Sequence, residues 1–323
     1  MTERVYTFGS HRGLVGILTE PSNGALRPGG PALLFSNIGL NHRVGPNRLY
    51  VEFARKLAAC GFRSLRFDLS GFGDSKSRRG GGTDLERATL DTREAMDFLE
   101  KRGVNRFVVA GLCSGVDSAH RAALEDSRVV GAISIDGYTY RSPGFWLRFC
   151  TVRNAQPARW RRYIRVRVAR FLGERPLSDL DDLPEVFERP YPTREQFAAD
   201  LAKLTARSLK LLFVYTANED GSYNYRNQFH DTFGYRDEIE VEFYARADHV
   251  FSTDAQRERL LSGLVRWLDL KFPRLPFVQR TQDAPDAAAR RVSRPAIYLL
   301  GPVAAFSVSR LLRLFVETNV LSA

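Results

Sequence analysis

The sequence predicts an α/β fold, in which buried strands alternate with helices. Residues Arg106 to Ala119 read as a strand that turns abruptly into a helix, R-F-V-V-A-G-L-C-S-G-V-D-S-A. Lys210 to Tyr215 is an apolar run typical of a buried strand, and Ile239 to Ala245 alternates like a half-exposed one. With 323 residues, 44% of them hydrophobic, the chain can bury one large core.

Gly111, Cys113 and Gly115 occupy the three fixed places of a nucleophile elbow. In such an elbow one side chain is exposed at the bend, and its neighbours two positions away on each side must have almost no bulk. This spacing places Cys113 at the apex. Ser114 then contributes its backbone N–H at the start of the new helix, as a donor to an oxyanion.

An elbow requires an acid and a histidine, in that chain order, on loops after later strands. Of the five histidines only His249 lies just past a strand end, after the strand at Ile239 to Ala245. The acid is expected in the polar turn that follows Tyr215, where Asp220 is preferred to Glu219 because it precedes a glycine and has a short side chain. Asp248 is expected to shape the loop before the histidine.

These residue types favour acyl transfer. A cysteine paired with histidine is activated as a thiolate, and the imidazole then protonates the departing group. The acid holds the imidazole in the required tautomer and stabilises its charged form. The sequence therefore predicts a Cys113–His249–Asp220 triad that forms a thioester intermediate.

The loop that follows the apolar strand Pro31 to Asn37 is expected to complete the site. Gly39 is the candidate for the second oxyanion N–H. His42 and Arg43 either contact the substrate or brace this loop. A helix is predicted from Asn47 to Cys60, with Pro46 in its first turn, and a strand from Ser64 to Asp68 follows it.

Together the R-F-D strand end at Arg66 to Asp68, the G-F-G-D-S turn after it, the elbow and the D-H pair at Asp248-His249 resemble the α/β-hydrolase superfamily. The segment H-R-V-G-P-N-R at His42 to Arg48 is similar to serine-aminopeptidase-like hydrolases associated with exosortase systems. A cysteine at the elbow is similar to dienelactone hydrolases. The resemblance implies an eight-stranded, mostly parallel sheet with helices on both faces and a lid, and it implies no particular substrate.

The expected organisation is a core of residues 1–137 and 209–273, interrupted by a helical lid at residues 138–208. Between Arg148 and Arg170 the chain has eight arginines and no acid, interleaved with aromatic and aliphatic residues. Such a surface attracts an anionic substrate, a carrier protein, a coenzyme A ester or an acidic membrane, or else is a solvated helical face. Trp160 and Arg161 are the candidate substrate-binding residues of this lid. A nucleic-acid partner is not expected, because the charge is concentrated over a cleft.

Residues 274–323 are expected to form a polar linker and an amphipathic tail. Arg310 and Arg313 interrupt the apolar run of this tail well short of the ~20 residues that a membrane span requires. Docking on the domain's own surface, a dimer contact and an interfacial helix are the alternatives for it. The lack of an apolar leader and the three cysteines favour a cytoplasmic protein with free thiols, and no metal-ligand cluster or cofactor motif is found.

The function that these residues favour is cleavage of a small-molecule ester or thioester through an acyl-Cys113 intermediate. An acyltransferase or cyclase of the same fold is the first alternative, since a dry site lets an amine or alcohol outcompete water. A catalytically silent binding or scaffold protein is the second. It requires His249 to lie out of hydrogen-bond reach of Cys113.

Overall fold

The computed structural model describes residues 1–149 except 23, 40 and 79, residue 168, and residues 191–274 except 218–221. These residues belong to one compact unit, Met1–Pro276, and the second unit, Phe277–Ala323, falls outside them. Of the expected linker and tail at residues 274–323, only residue 274 is described. The linker and the tail therefore stay predictions.

Eight strands of the described chain form one sheet, in the order β1-β2-β4-β3-β5-β6-β7-β8. Pairings β1–β2 and β2–β4 are antiparallel, and all other neighbours are parallel. The strands are β1 Thr2–Phe8, β2 Leu14–Glu20, β3 Ala32–Phe35, β4 Ser64–Phe67, β5 Phe107–Leu112, β6 Val129–Ile135, β7 Lys210–Thr216 and β8 Ile239–Tyr244. The expected eight-stranded, mostly parallel sheet is confirmed.

Helices cover both faces of this sheet. They are α1 Leu49–Ala59, α2 Asp84–Glu100, α3 Gly115–Glu125, α4 Pro143–Arg148, α5 Arg194–Ala206, α6 Gln228–Phe233 and α7 Asp254–Lys271, and two 3₁₀ turns are Ser10–Arg12 and Pro46–Arg48. Buried side chains of α2, α3 and α5 share one core cluster, whereas those of α1 and α7 share the other. Strand β5 contributes side chains to both clusters, because successive residues of a strand point to opposite faces. Val109 belongs to the first cluster and Val108 to the second.

The element starts follow from local chemistry. The Thr83 hydroxyl accepts the Glu86 N–H and the Glu86 carboxylate accepts the Thr83 N–H, so a capping box begins α2. Pro46 begins a 3₁₀ turn, and the regular helix predicted from Asn47 starts at Leu49, after Asn47 and Arg48 adopt positive φ. The strand bounds agree with the sequence predictions to within one or two residues.

The C-terminal part of the predicted lid packs on the sheet. Helix α5 buries Phe197, Leu201 and Leu204 in the same cluster as α3. These apolar residues recur at helical spacing and cover the core. The lid boundaries at residues 138 and 208 stay predictions. Residues 150–167 and 169–190 lie outside the described residues, so the remainder of the lid stays a prediction.

No helix within the described ranges has both the length and the apolar character needed to cross a membrane.

A pair of variants on α7 tests the packing of the second cluster. Trp267 is 2% exposed, whereas Leu270 on the same helix is 70% exposed. We expect Trp267→Ala to lower the free energy of unfolding by about 3–5 kcal/mol through the cavity it leaves. We expect Leu270→Ala to change it by no more than about 0.5 kcal/mol. Denaturant unfolding of both variants measures the difference. Equal losses of unfolding free energy would contradict the assignment of Trp267 to the buried face of α7 and of Leu270 to its exposed face.

Candidate active site

The chain bends at Cys113, between the end of β5 and the start of α3. Cys113 has a φ of 54°, in the left-handed region that costs a non-glycine residue about 1–2 kcal/mol. A methyl group on Gly111 would lie 2.3 Å from the Gly115 carbonyl oxygen, and one on Gly115 would lie 2.6 Å from the Asn37 carbonyl oxygen. Only glycine fits at both places, so this bend has the geometry of a nucleophile elbow with Cys113 at its apex.

His249 lies beside Cys113, on the loop that follows β8, and its imidazole interacts with the Cys113 side chain. Its Nδ1 is 3.0 Å from Oδ2 of Asp136. Cys113, His249 and Asp136 therefore form a connected thiol–imidazole–carboxylate series. This contact with Cys113 is the one that a catalytically silent protein would lack.

Asp136 is held rigidly at the end of β6. Its carboxylate accepts the Thr216 N–H at 2.7 Å and the Thr216 hydroxyl at 2.5 Å, in addition to the contact with His249. The side chain is 1% exposed. The Asp136 N–H donates to the Val214 carbonyl at 2.8 Å, and the residue has a positive φ of 44°. Two adjacent strands thus fix this carboxylate in place.

The sequence analysis did not single out Asp136. It predicted Asp220, with Glu219 as the alternative, and both of these lie outside the described residues. Asp136 nevertheless satisfies the same criteria, because it follows a buried strand, precedes Gly137 and lies between Cys113 and His249 in the chain. The position against His249 Nδ1 is occupied by Asp136.

The hydrogen bonds to Asp136 and then to Cys113 raise the pKa of His249 to about 10, although burial acts in the opposite direction. A raised pKa means that the imidazole stays protonated through neutral pH and loses its proton only near pH 10. An imidazolium within hydrogen-bond reach favours the ionised form of a thiol. The arrangement can therefore supply a nucleophilic sulfur and, on the same histidine, a proton for the departing group.

Two predicted oxyanion residues, Ser114 and Gly39, are brought together by the fold. The Ser114 backbone N–H lies at the start of α3, where it is directed along the helix axis. The Gly39 N–H is donated to the Ser114 hydroxyl at 2.7 Å. Gly39 is thus beside the elbow as expected, with its N–H bonded to a side chain of the protein.

Arg43 braces the loop after β3, which is one of the two roles expected for it. Its backbone N–H donates to Asp68 Oδ1 at 2.6 Å, and its guanidinium pairs with Asp68 and with Asp74, the latter at 2.6 Å. Asp68 is fully buried, so the pair fixes this loop to the end of β4. His42 is exposed on the same loop, and neither residue is among the described residues that line the cleft.

A cleft of about 860 Å³ opens at the carboxyl ends of the strands. Its described walls include Cys113, His249 and the polar residues Thr139, Tyr191, Arg246, Ser252 and Gln256. Asp248 shapes the loop as expected, because its carboxylate accepts the N–H groups of Val250 and Ser252.

Of the eight arginines in the predicted basic surface, only Arg148 is among the described residues. The Arg148 guanidinium lies 4.7 Å from the centre of the Tyr225 ring, where it packs on the protein itself. Trp160, Arg161 and the other arginines of the stretch lie outside the described residues. The anionic carrier, membrane and dimer partners expected from this stretch and from the tail stay predictions.

Residues 39–181 match the family model of the serine aminopeptidases, S33. In structure the chain is similar to an α/β serine hydrolase homologue from Coxiella burnetii, with 15% identity and a TM-score of 0.51 over 82% of this chain and 97% of that one. It is similar to an esterase from Pyrococcus furiosus, with 14% identity and a TM-score of 0.54 over 83% and 91% of the two chains. An α/β hydrolase from a Penicillium species has 17% identity and a TM-score of 0.52 over 84% and 99%.

No curated protein matches the sequence. The solved structures share too little sequence to establish more than the fold. The protein has the α/β-hydrolase fold, and its resemblance to that superfamily is confirmed. The narrower likenesses to exosortase-associated and dienelactone hydrolases stay predictions, and the structural neighbours from Coxiella and Pyrococcus bear the names serine hydrolase and esterase.

The ionisation of the Cys113–His249 pair can be tested by alkylation of Cys113. Asp136→Asn removes the largest cause of the raised pKa of His249, so the imidazolium is lost at lower pH. We expect alkylation of Cys113 by iodoacetamide at pH 7 to slow about tenfold or more, because the thiolate loses the neighbouring imidazolium that favours it. Peptide-resolved mass spectrometry measures this rate against pH.

Cys60 serves as the internal control for this experiment. It is a free, half-buried cysteine remote from His249, and burial raises the pKa of its thiol. Its alkylation rate should be the same in both proteins. An unchanged rate at Cys113 would show that Asp136 does not control the ionisation of the pair.

Proposed function

We propose that the protein is an acyl-transfer enzyme that cleaves a small-molecule ester or thioester through a thioester formed on Cys113. The observation that carries this proposal is the placement of Cys113 at the apex of the elbow beside His249, whose Nδ1 contacts Asp136. Asp136 is assigned the orienting role for which the sequence indicated Asp220.

In the first half of the reaction the Cys113 sulfur attacks the carbonyl carbon of the substrate. The carbonyl oxygen gains negative charge, which the Ser114 backbone N–H stabilises at the start of α3. His249 gives its proton to the departing alcohol or thiol, so that the C–O or C–S bond breaks and a thioester to Cys113 remains. Asp136 holds the ring so that Nε2 faces the sulfur and Nδ1 faces the carboxylate.

In the second half, water attacks the thioester carbonyl. The now neutral His249 takes one proton from that water, the C–S bond to Cys113 breaks, and the free acid leaves. The thiolate and imidazolium are restored together. No further reactant is consumed.

The described walls of the cleft favour water as the acceptor. Thr139, Ser252 and Gln256 contribute hydroxyl and amide groups to the walls of the cleft that contains the two reacting side chains. Such groups hold water by hydrogen bonds, whereas transfer to an amine or alcohol requires that water be kept out. We therefore prefer hydrolysis to the acyltransferase alternative.

The acyl intermediate can be detected by intact-mass analysis after incubation with a panel of acyl thioesters and activated esters. We expect wild-type protein to gain the mass of one acyl group and Cys113→Ala to gain none, because only the apex side chain faces the cleft. Cys60→Ala is the matched control and should label like wild type. An adduct that persists in Cys113→Ala would assign the nucleophile to another residue.

Product analysis distinguishes hydrolysis from transfer. With an acyl thioester that labels Cys113, we expect the free acid to remain the main product when a small amine or alcohol is added. Chromatography of the quenched reaction measures the ratio of acid to amide or ester. If the acceptor product dominates at millimolar acceptor, the enzyme is an acyltransferase and water is excluded from the acylated site.

A further inference from the structure

We propose that the side-chain hydroxyl of Ser114 donates a hydrogen bond to the oxyanion that forms on the substrate, and so takes the place expected for the Gly39 N–H. This inference rests on the proposed acyl transfer at Cys113. It starts from one contact, the hydrogen bond from the Gly39 N–H to the Ser114 hydroxyl oxygen at 2.7 Å.

That contact changes which group can reach the substrate. A backbone N–H has one proton to give, and the proton of Gly39 is given to Ser114. The negative oxygen of the reacting carbonyl must then lie one hydrogen bond further from Gly39. A direct bond from Gly39 to the oxyanion is therefore replaced by a two-step series, from Gly39 to the hydroxyl and from the hydroxyl to the oxyanion.

A serine hydroxyl is suited to the middle of such a series. It accepts through its oxygen lone pairs and still has its own O–H to donate. In the described chain the Ser114 hydroxyl is bonded only to Gly39, and its proton has no protein acceptor there. Acceptance of a peptide N–H polarises the hydroxyl and makes it a stronger donor.

Two further features fix the hydroxyl in this role. Ser114 occupies the N-cap position of α3 but its side chain makes no capping bond to the helix, so the hydroxyl is not required there. The loop that holds Gly39 is kept against the helix, because the Gly115 backbone packs directly on the Asn37 carbonyl. The backbone N–H and the hydroxyl of one residue can thus converge on one oxygen atom.

The test compares Ser114→Ala with Ser114→Thr, using p-nitrophenyl acetate as the acyl donor. The burst of nitrophenolate gives the rate of Cys113 acylation at saturating ester. Loss of one oxyanion donor costs about 10²–10³-fold in rate, and we expect a loss of this size in Ser114→Ala with little change in KM. Ser114→Thr keeps a hydroxyl and should restore most of the rate.

A second readout separates this role from a structural one. An aldehyde such as acetaldehyde adds reversibly to the thiolate and forms a hemithioacetal, whose oxygen occupies the same position as the oxyanion. Its affinity should fall in Ser114→Ala and recover in Ser114→Thr. Alkylation of Cys113 by iodoacetamide forms no oxyanion, so its rate should be equal in all three proteins.

Acylation of Ser114→Ala at the wild-type rate or faster would overturn the inference, because the hydroxyl would then merely cover the Gly39 N–H. A parallel loss of iodoacetamide reactivity would also overturn it, since the substitution would have disturbed the nucleophile itself. Failure of the wild-type protein to acylate with any ester or thioester is a different result. It would reject the proposed function.

Discussion

The close approach of three backbones around the elbow is the constraint on which the rest of the site depends. The bend leaves no room for a side chain at Gly111, where the first turn of α3 closes over the end of β5, or at Gly115, where that turn meets the Asn37 carbonyl. Strand β5, helix α3 and the loop after β3 therefore share one point of contact. The unfavourable backbone conformation of Cys113 is maintained because the surrounding sheet fixes both of its neighbours.

The ionisable groups of the site lie around the elbow, and the carboxylate of Asp136 is more buried than His249 and Cys113. Asp136 is almost wholly buried, where an unpaired carboxylate would be costly, and it is compensated by two donors from Thr216 and by the ring of His249. His249 is partly exposed and lies between this carboxylate and the Cys113 side chain. Cys113 is half-buried at the end of the series, where a substrate can reach its sulfur. The imidazolium is thus stabilised on both sides, which is the physical cause of its raised pKa.

The sequence predicted which residues belong to this site better than it predicted the hydrogen bonds between them. Gly111, Cys113 and Gly115 could be placed because an elbow has a fixed spacing and strict steric demands. His249 could be placed because few histidines lie just past a strand. The acid could not be assigned reliably, since both strand ends that precede the histidine offer an aspartate, and only three-dimensional packing decides which one reaches the ring.

The contacts of Gly39 and Arg43 show the same limit. Both residues were placed correctly on the loop after β3, yet nothing in the sequence indicated that the Gly39 N–H would bond to the Ser114 hydroxyl. Arg43 could equally have faced a substrate, and its bonding to Asp68 and Asp74 depends on the distance between two loops. Residue spacing predicts which groups are near one another, but hydrogen-bond partners depend on shifts of one or two ångströms.

The location of Asp136 also bears on how this enzyme could diversify. Its carboxylate is anchored by Thr216 and its backbone N–H by the Val214 carbonyl, both of β7, which follows the long segment that begins at Gly137. Nucleophile, histidine and carboxylate are thus complete at the ends of β5, β6 and β8, while the segment between β6 and β7 contributes cleft walls such as Thr139 and Tyr191. Helix α5 of that segment belongs to the core. Exchange of the part before α5 would alter which molecules fit the cleft while the reacting groups stay in place, so this part is the one to graft or randomise when a new specificity is sought.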